Sequence, residues 1–115
     1  MHSRKHMSHL TSLGLSDRDV EVIGECLDAA ATGPFFPDWE FQTLFGLDRE
    51  EVRRIASDWP TVDSDTWVAV ANSLGNLLGY PHGLDGEWTE YVSVPRAEVE
   101  GILKKWKSLK APLNP

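Results

Sequence analysis

The residues best suited to chemistry lie close together in one turn-rich segment. His82, Asp85, Glu87 and Glu90 are of types that bind metal ions. Their spacing matches no common ligand pattern, and a histidine within a Pro-Gly sequence is typical of a turn residue. We therefore predict no metal and no cofactor, and we keep the loop over residues 79–91 as an alternative site for a small ligand or an enzymatic reaction.

A cysteine and an acidic sequence have residue types suited to catalysis but are better explained by structural roles. Cys26 is the only cysteine, and its neighbours Glu25 and Asp28 oppose formation of a thiolate, so we expect it to pack within a helix. Asp63 begins an Asp-Ser-Asp-Thr sequence that resembles an acidic phosphoryl-transfer motif, but no buried strand is predicted before it. Helix capping explains this sequence better. With no catalytic signature found, the sequence favours a protein that is not an enzyme.

A pair of asparagines occupies a predicted central helix. Asn72 and Asn76 lie one turn apart, opposite the apolar stripe of that helix. Asparagine is a poor helix former, so two of them indicate a hydrogen-bonding role towards a loop or a ligand. Together with His82 they form a predicted polar site.

The same helix contains Gly75, which costs roughly 1 kcal/mol of helix stability relative to alanine. No charged residue occurs between Asp65 and Asp85, which is typical of a helix enclosed on most sides. A close crossing with another helix at Gly75 would explain why the glycine is tolerated.

Five tryptophans are prominent in so short a chain. Trp59, Trp67 and Trp106 fall on apolar stripes and are predicted to lie in the core, whereas Trp39 and Trp88 each sit beside acids. Half-exposed tryptophan in acidic surroundings is typical of a protein-binding hot spot, although such a residue can also simply cover the edge of the core. The predicted partner-binding residues are Trp39, Glu40, Asp85, Glu87, Trp88 and Glu90.

Charge is distributed unevenly along the chain. The formal net charge is −7, yet residues 11–95 have four arginines against sixteen acids, and no Lys or Arg occurs between Asp58 and Pro95. Residues 96–115 are net positive. Such an acidic body repels nucleic acid and attracts a basic protein, unless its acidity serves only solubility.

One spacing resembles the helix-turn-helix motif of DNA-binding proteins. Apolar residues of the segment 41–55 flank the turn residue Gly46 where two crossed helices need them. Gln42, however, stands where that motif usually has a small residue, and the second helix is net negative between Asp48 and Asp58. Because phosphate neutralisation supplies most non-specific affinity for DNA, this helix is poorly suited to bind it.

Helix starts and stops recur along the chain. Ser16 and Asp48 begin capping boxes, Asp38 is a further candidate cap, and Gly-Pro, Gly or Pro follow each periodic segment. These signals predict an all-α (mainly α) fold, a compact bundle of about five helices. At most one short β segment is expected near residues 87–94, since no partner strand is evident.

The predicted organisation is one domain. Residues 1–9 are interpreted as a flexible N-terminal arm or a tag remnant, residues 10–110 as a single helical domain, and residues 111–115 as a C-terminal tail. No run of about 18 apolar residues occurs, so no membrane span is predicted. The single cysteine fits a cytoplasmic protein.

Two motifs resemble those of a known group of proteins. Residues 35–41 (Phe-Phe-Pro-Asp-Trp-Glu-Phe) and 77–82 (Leu-Leu-Gly-Tyr-Pro-His) are similar to sequences in small proteins of high-GC actinobacteria for which no activity is known. The resemblance covers about residues 13–107 and implies no function.

Three functional hypotheses follow. The first is a non-enzymatic protein-binding module, of an immunity-like or regulatory kind, whose partner is a basic protein. The second is a transcriptional regulator derived from a helix-turn-helix protein. The third is a small-ligand binder or enzyme that uses the loop over residues 79–91.

Overall fold

The computed structural model describes residues 10–109, and the predicted arm over 1–9 and tail over 111–115 lie outside them. The fold is all-α, as predicted, and no strand occurs in the described part. Residues 10–12 are helical. The elements that follow are α1 (Asp17–Thr32), α2 (Asp38–Phe45), α3 (Arg49–Asp58), α4 (Ser64–Gly79), a 3-10 turn (Asp85–Glu87), α5 (Trp88–Tyr91) and α6 (Arg96–Ser108).

Local capping explains where three of the long helices begin. The side chains of Ser16, Asp48 and Asp63 accept hydrogen bonds from backbone N–H groups three residues ahead, over 2.8–3.0 Å. In each case the residue three ahead returns a side-chain acceptor to the cap's own N–H, which completes a capping box. Asp38 does not cap α2; Pro37 precedes that helix, and the Asp38 carboxylate pairs with Arg49 instead.

The buried apolar side chains of residues 10–109 form one cluster around α1. This helix contacts α3, α4, α5 and α6, and its Val20, Ile23 and Leu27 are almost fully buried. Trp106 of α6 is buried, with Trp59 and Trp67 half-buried against it at ring-centroid distances of 6.1 and 4.2 Å. Burial of each such side chain contributes roughly 1.5–3 kcal/mol to the stability of the fold. Because α1 contacts α3, α4, α5 and α6, it lies at the centre of the core.

The close helix crossing is at Gly24 of α1. A Cβ atom there would lie 3.0 Å from Cδ1 of Trp59, whose indole N–H donates to the Val20 carbonyl over 2.9 Å. The prediction of a close crossing at Gly75 is wrong, because no atom of another described helix lies within 4 Å of the Cβ position there. Helix α4 buries one side against α1 and leaves the side at Gly75 open.

Residues 85–91 are helical, and no strand forms near residues 87–94, where at most one short β segment was predicted. The 3-10 turn and α5 raise the number of helical elements from about five to seven in residues 17–108. The N–H groups of Glu87 and Val92 donate to carbonyls three and four residues back, over 3.0 and 2.8 Å. With no neighbouring strand to pair with, helical turns satisfy the backbone locally. Over the same described range, no helix has the length and hydropathy to cross a membrane.

Candidate functional site

The start of α2 contacts the end of α4 and the loop that follows it, whereas no contact joins α2 to the 3-10 turn or to α5, which hold the other predicted partner-binding residues. The phenol of Tyr80 donates a 2.7 Å hydrogen bond to Oε1 of Glu40. The ring of Phe36, just before α2, lies 5.5 Å from that of Tyr80 and 6.5 Å from that of His82. The loop after α4 therefore closes on the segment that leads into α2.

A second aromatic residue extends this closure. Phe35 is buried, and its ring lies 4.9 Å from that of His82 and 5.4 Å from that of Tyr91, both edge-on. Tyr91 is partly exposed and adjacent to Glu90. The Phe-Phe pair thus anchors the loop from both of its ends, a role that no local sequence signal indicates because the contacts join residues more than 40 positions apart.

The side chain of Trp39 is exposed on the surface of α2. It is 82% exposed on the first turn of α2, the largest exposure of any large apolar side chain in the described part. Such exposure disagrees with a role as a cover for the core edge. A large apolar surface in water on a regular helix is typical of an interaction site.

Trp88, in contrast, is buried. It is only 5% exposed, its indole N–H donates to the Val94 carbonyl over 2.8 Å, and Arg96 stacks over its ring at 5.1 Å. The prediction that Trp88 is half-exposed is therefore wrong. Trp88 is the first residue of α5, and its side chain packs into the core from there.

The predicted acidic residues divide into paired and unpaired groups. Asp85 pairs with Arg96 over 3.1 Å, and the same guanidinium donates to the Leu78 carbonyl at the end of α4. Glu87 and Glu90 form no ion pair within residues 10–109. Glu40 uses one carboxylate oxygen for the Tyr80 hydroxyl, and this bond raises the pKa of the phenol.

The two asparagines hold one helix to another. The Asn72 amide donates to the Phe45 carbonyl over 2.8 Å, and the Asn76 amide donates to the Leu44 carbonyl over 3.0 Å. Both acceptors are at the end of α2, where helix carbonyls lack partners within the helix. The asparagines form the kind of hydrogen bonds that were predicted, but their acceptors are backbone carbonyls at the end of a helix of this chain, where a loop or a ligand was expected.

His82, the third residue of the predicted polar site, shapes its own turn. Its Nε2 lies 3.1 Å from the Leu77 carbonyl, and its Nδ1 accepts from the Leu84 N–H over 2.9 Å. These two bonds place the ring proton on Nε2. The loop over 79–91 is thus packed by its own side chains, and no group of three or more ligating side chains in the described residues is arranged to hold a metal ion.

The arginines of the helix-turn-helix-like segment are engaged within the chain. Arg49 donates to Asp38 over 2.7 Å and to the carbonyls of Ala30, Ala31 and Phe36 over 2.6–3.3 Å. Arg53 pairs with Glu50, and Arg54 pairs with Asp58. All three cations of α3 are therefore already matched to acceptors of this chain.

Cys26 lies in the core, as predicted. It is fully buried, and burial together with the nearby Glu25 carboxylate raises the pKa of its thiol to about 12. A thiol with so little thiolate at neutral pH is a weak nucleophile.

The chain matches no protein-family model, and comparisons with curated proteins and with solved structures find no match either.

Proposed function

We propose that this protein is a non-enzymatic protein-binding module whose partner is basic, of an immunity-like or regulatory kind. The observation that carries the proposal is Trp39, a tryptophan held 82% exposed on a regular helix. Two half-buried residues beside it, Glu40 and Tyr80, are fixed by their mutual hydrogen bond. We call Trp39, Glu40 and Tyr80 the Trp39 surface.

Charge supports a basic partner. Glu87 and Glu90 have no ion pair to a described residue and lie on the loop whose His82 and Tyr91 rings pack against Phe35 and Phe36. Among the cations of residues 10–109, only Lys104 and Lys107 lack an acidic partner, and both are on α6. The field around the Trp39 surface is therefore negative, which accelerates the approach of a basic protein.

Affinity capture with the wild-type protein and with Trp39→Ala tests the proposal. We expect one basic protein to be retained by the wild type and lost with Trp39→Ala, because the indole supplies the buried anchor. Once that partner is in hand, its association rate should fall as salt rises from low concentration to 0.1 M, where the Debye length is about 10 Å.

The contribution of Glu87 and Glu90 to the association rate can be tested against a matched control. The Glu87→Gln, Glu90→Gln double variant should slow association several-fold, whereas Glu100→Gln, at an exposed residue of α6 with no ion pair to a described residue, should change it little. Retention of the same proteins by wild type and Trp39→Ala would contradict the proposal.

A gel shift with duplex DNA distinguishes the helix-turn-helix hypothesis from the protein-binding proposal. The double variant Arg53→Ala, Arg54→Ala is informative. Removal of Arg49 is not, because it would also remove the bonds of Arg49 to the end of α1 and to the linker before α2. DNA binding at low salt that disappears in the double variant would favour the transcriptional regulator and would contradict the present proposal.

A further inference from the structure

His82 is the only histidine from residue 10 onward, and it lies in the turn that follows α4. Its half-buried ring contacts the rings of Phe35 and Phe36, at centroid distances of 4.9 and 6.5 Å. Histidine is the side chain whose charge ordinarily changes between about pH 5 and pH 8. His82 is therefore the residue of this turn whose type changes charge near neutral pH.

Both ring nitrogens of His82 face backbone groups with fixed roles. Nδ1 lies 2.9 Å from the nitrogen of the Leu84 N–H, which can only donate, and Nε2 lies 3.1 Å from the Leu77 carbonyl oxygen, which can only accept. Nδ1 is therefore unprotonated and Nε2 has the proton, so the closed turn holds the neutral ring. A second proton, on Nδ1, would face the proton of the Leu84 N–H and would break this bond.

Charged groups surround the turn, but no described carboxylate forms an ion pair with the His82 ring. The charged or titratable side chains on the segments that contact it, and on their partners, are Asp38, Glu40, Arg49, Tyr80, Asp85, Glu87, Glu90, Tyr91 and Arg96. Both aspartates are paired with arginines, and Glu40 accepts from the Tyr80 hydroxyl. The glutamates favour a charged ring, yet they cannot relieve the conflict of a proton on Nδ1 with the Leu84 N–H.

We infer that His82 is a pH-sensitive switch of this turn, which is closed when the ring is neutral and opens when the ring is protonated. Protonation removes the acceptor of the Leu84 N–H, and a charged ring is better solvated in water than against Phe35 and Phe36. The closed turn binds one proton fewer than the open turn. A fall in pH therefore favours opening.

The same turn supports part of the Trp39 surface. The N–H of His82 donates to the Tyr80 carbonyl over 2.8 Å, and the Tyr80 hydroxyl holds Glu40. Opening of the turn in acid thus withdraws one support of that surface. The switch is a property of the fold and operates whether or not the Trp39 surface binds a partner, so this inference and the proposed function can fail separately.

Amide hydrogen exchange of the Leu84 N–H measures opening of the turn. We expect its protection, corrected for the intrinsic pH dependence of exchange, to fall at least about fivefold between about pH 7.5 and about pH 5. The Val92 N–H, which donates to the Trp88 carbonyl within α5, should keep its protection because only the turn opens. Constant protection of Leu84, or an equal loss at Val92, would overturn the inference.

His82→Asn is the matched variant. An asparagine side chain can accept from the N–H two residues ahead, as His82 does, and it does not titrate. Leu84 should therefore be protected in this variant at both ends of the pH range. The wild-type loss of protection, if it persisted in His82→Asn, would show that another group is responsible and would overturn the inference.

The protonation state of the ring gives a test that needs no variant. Nitrogen NMR of the wild-type protein should show an unprotonated Nδ1 and a protonated Nε2 for His82 at about pH 7.5, where a free histidine is mostly neutral. A proton on Nδ1 at that pH would contradict the assigned bonds and would overturn the inference. If His82→Asn protects Leu84 poorly at every pH, this measurement and the wild-type exchange decide the outcome.

Discussion

At the scale of single residues, two tryptophans with similar acidic neighbours have opposite environments. Trp39 projects into solvent from α2, and Trp88 is enclosed with its N–H bonded to the Val94 carbonyl. The neighbouring acids do not decide exposure, because a side chain's direction depends on where its helix packs. Trp39 is thus available for a partner, and Trp88 is part of the fold.

Truncation of these residues should separate stability from binding. Trp88→Ala empties a buried aromatic site and should lower the free energy of unfolding by about 3–5 kcal/mol. Trp39→Ala removes an exposed side chain and should change it by less than about 0.5 kcal/mol. Urea denaturation followed by circular dichroism measures both, and equal costs would mean that the two environments are assigned wrongly.

At the scale of helices, Arg49 joins three segments. Its guanidinium binds carbonyls at the end of α1, the Phe36 carbonyl in the following linker, and the Asp38 carboxylate at the start of α2. Its Cζ also lies 4.4 Å from the centre of the Phe41 ring. The Arg49 side chain is only 19% exposed, so its bonds to the three carbonyls are partly shielded from water, whereas the Asp38 carboxylate is 90% exposed.

Removal of Arg49 should therefore cost much more than removal of a neighbouring surface arginine. We expect Arg49→Ala to lower the free energy of unfolding by about 2–4 kcal/mol, because several buried acceptors lose a charged donor. Arg49→Lys should recover only part of this loss, since an ammonium cannot reproduce the planar fork. Arg53→Ala, at an exposed pair, should cost about 0.5 kcal/mol or less in the same urea titration.

At the scale of the whole molecule, an ion pair joins the first and last long helices. Nζ of Lys105 on α6 lies 2.6 Å from Oδ2 of Asp19 on α1. Burial by itself raises the pKa of Asp19, but the hydrogen bonds from Lys105 and Ser16 outweigh it, and the pKa is lowered overall. A lowered folded-state pKa stabilises the fold above the unfolded value and loses this effect in acid.

The acid stability of the protein should reflect this pair. Lys105→Met should destabilise the fold by about 1–2 kcal/mol at pH 7. The difference from wild type should shrink as the pH falls from about 5, above the unfolded pKa of Asp, to below the lowered folded value. Lys104→Met, which removes an unpaired lysine, should show no such convergence in thermal unfolding measured across this range. A constant Lys105→Met difference at every pH would contradict the assigned role of Asp19.

Much of the fold could be predicted because its signals are local. The capping boxes at Ser16 and Asp48 and the turn at Gly46 depend on residues within four positions of one another. The apolar stripe of α1 likewise follows from helical periodicity. These interactions need no knowledge of the rest of the chain, which is why the all-α class and the five longer helices could be located.

The sites could not be located in the same way, because their partners are distant in sequence. Arg49 binds carbonyls up to 19 residues away, Tyr80 binds Glu40 across 40 residues, and backbone carbonyls carry no residue-specific signal. The same limit explains why a close helix crossing was predicted at Gly75, whereas the structure has it at Gly24. Gly24 is crowded by Trp59, 35 residues ahead, and Gly75 is open because α1 covers the opposite side of α4. Sequence alone therefore determined which of the longer segments are helical, and packing between helices decided the short turns at residues 85–91 and which faces remain exposed.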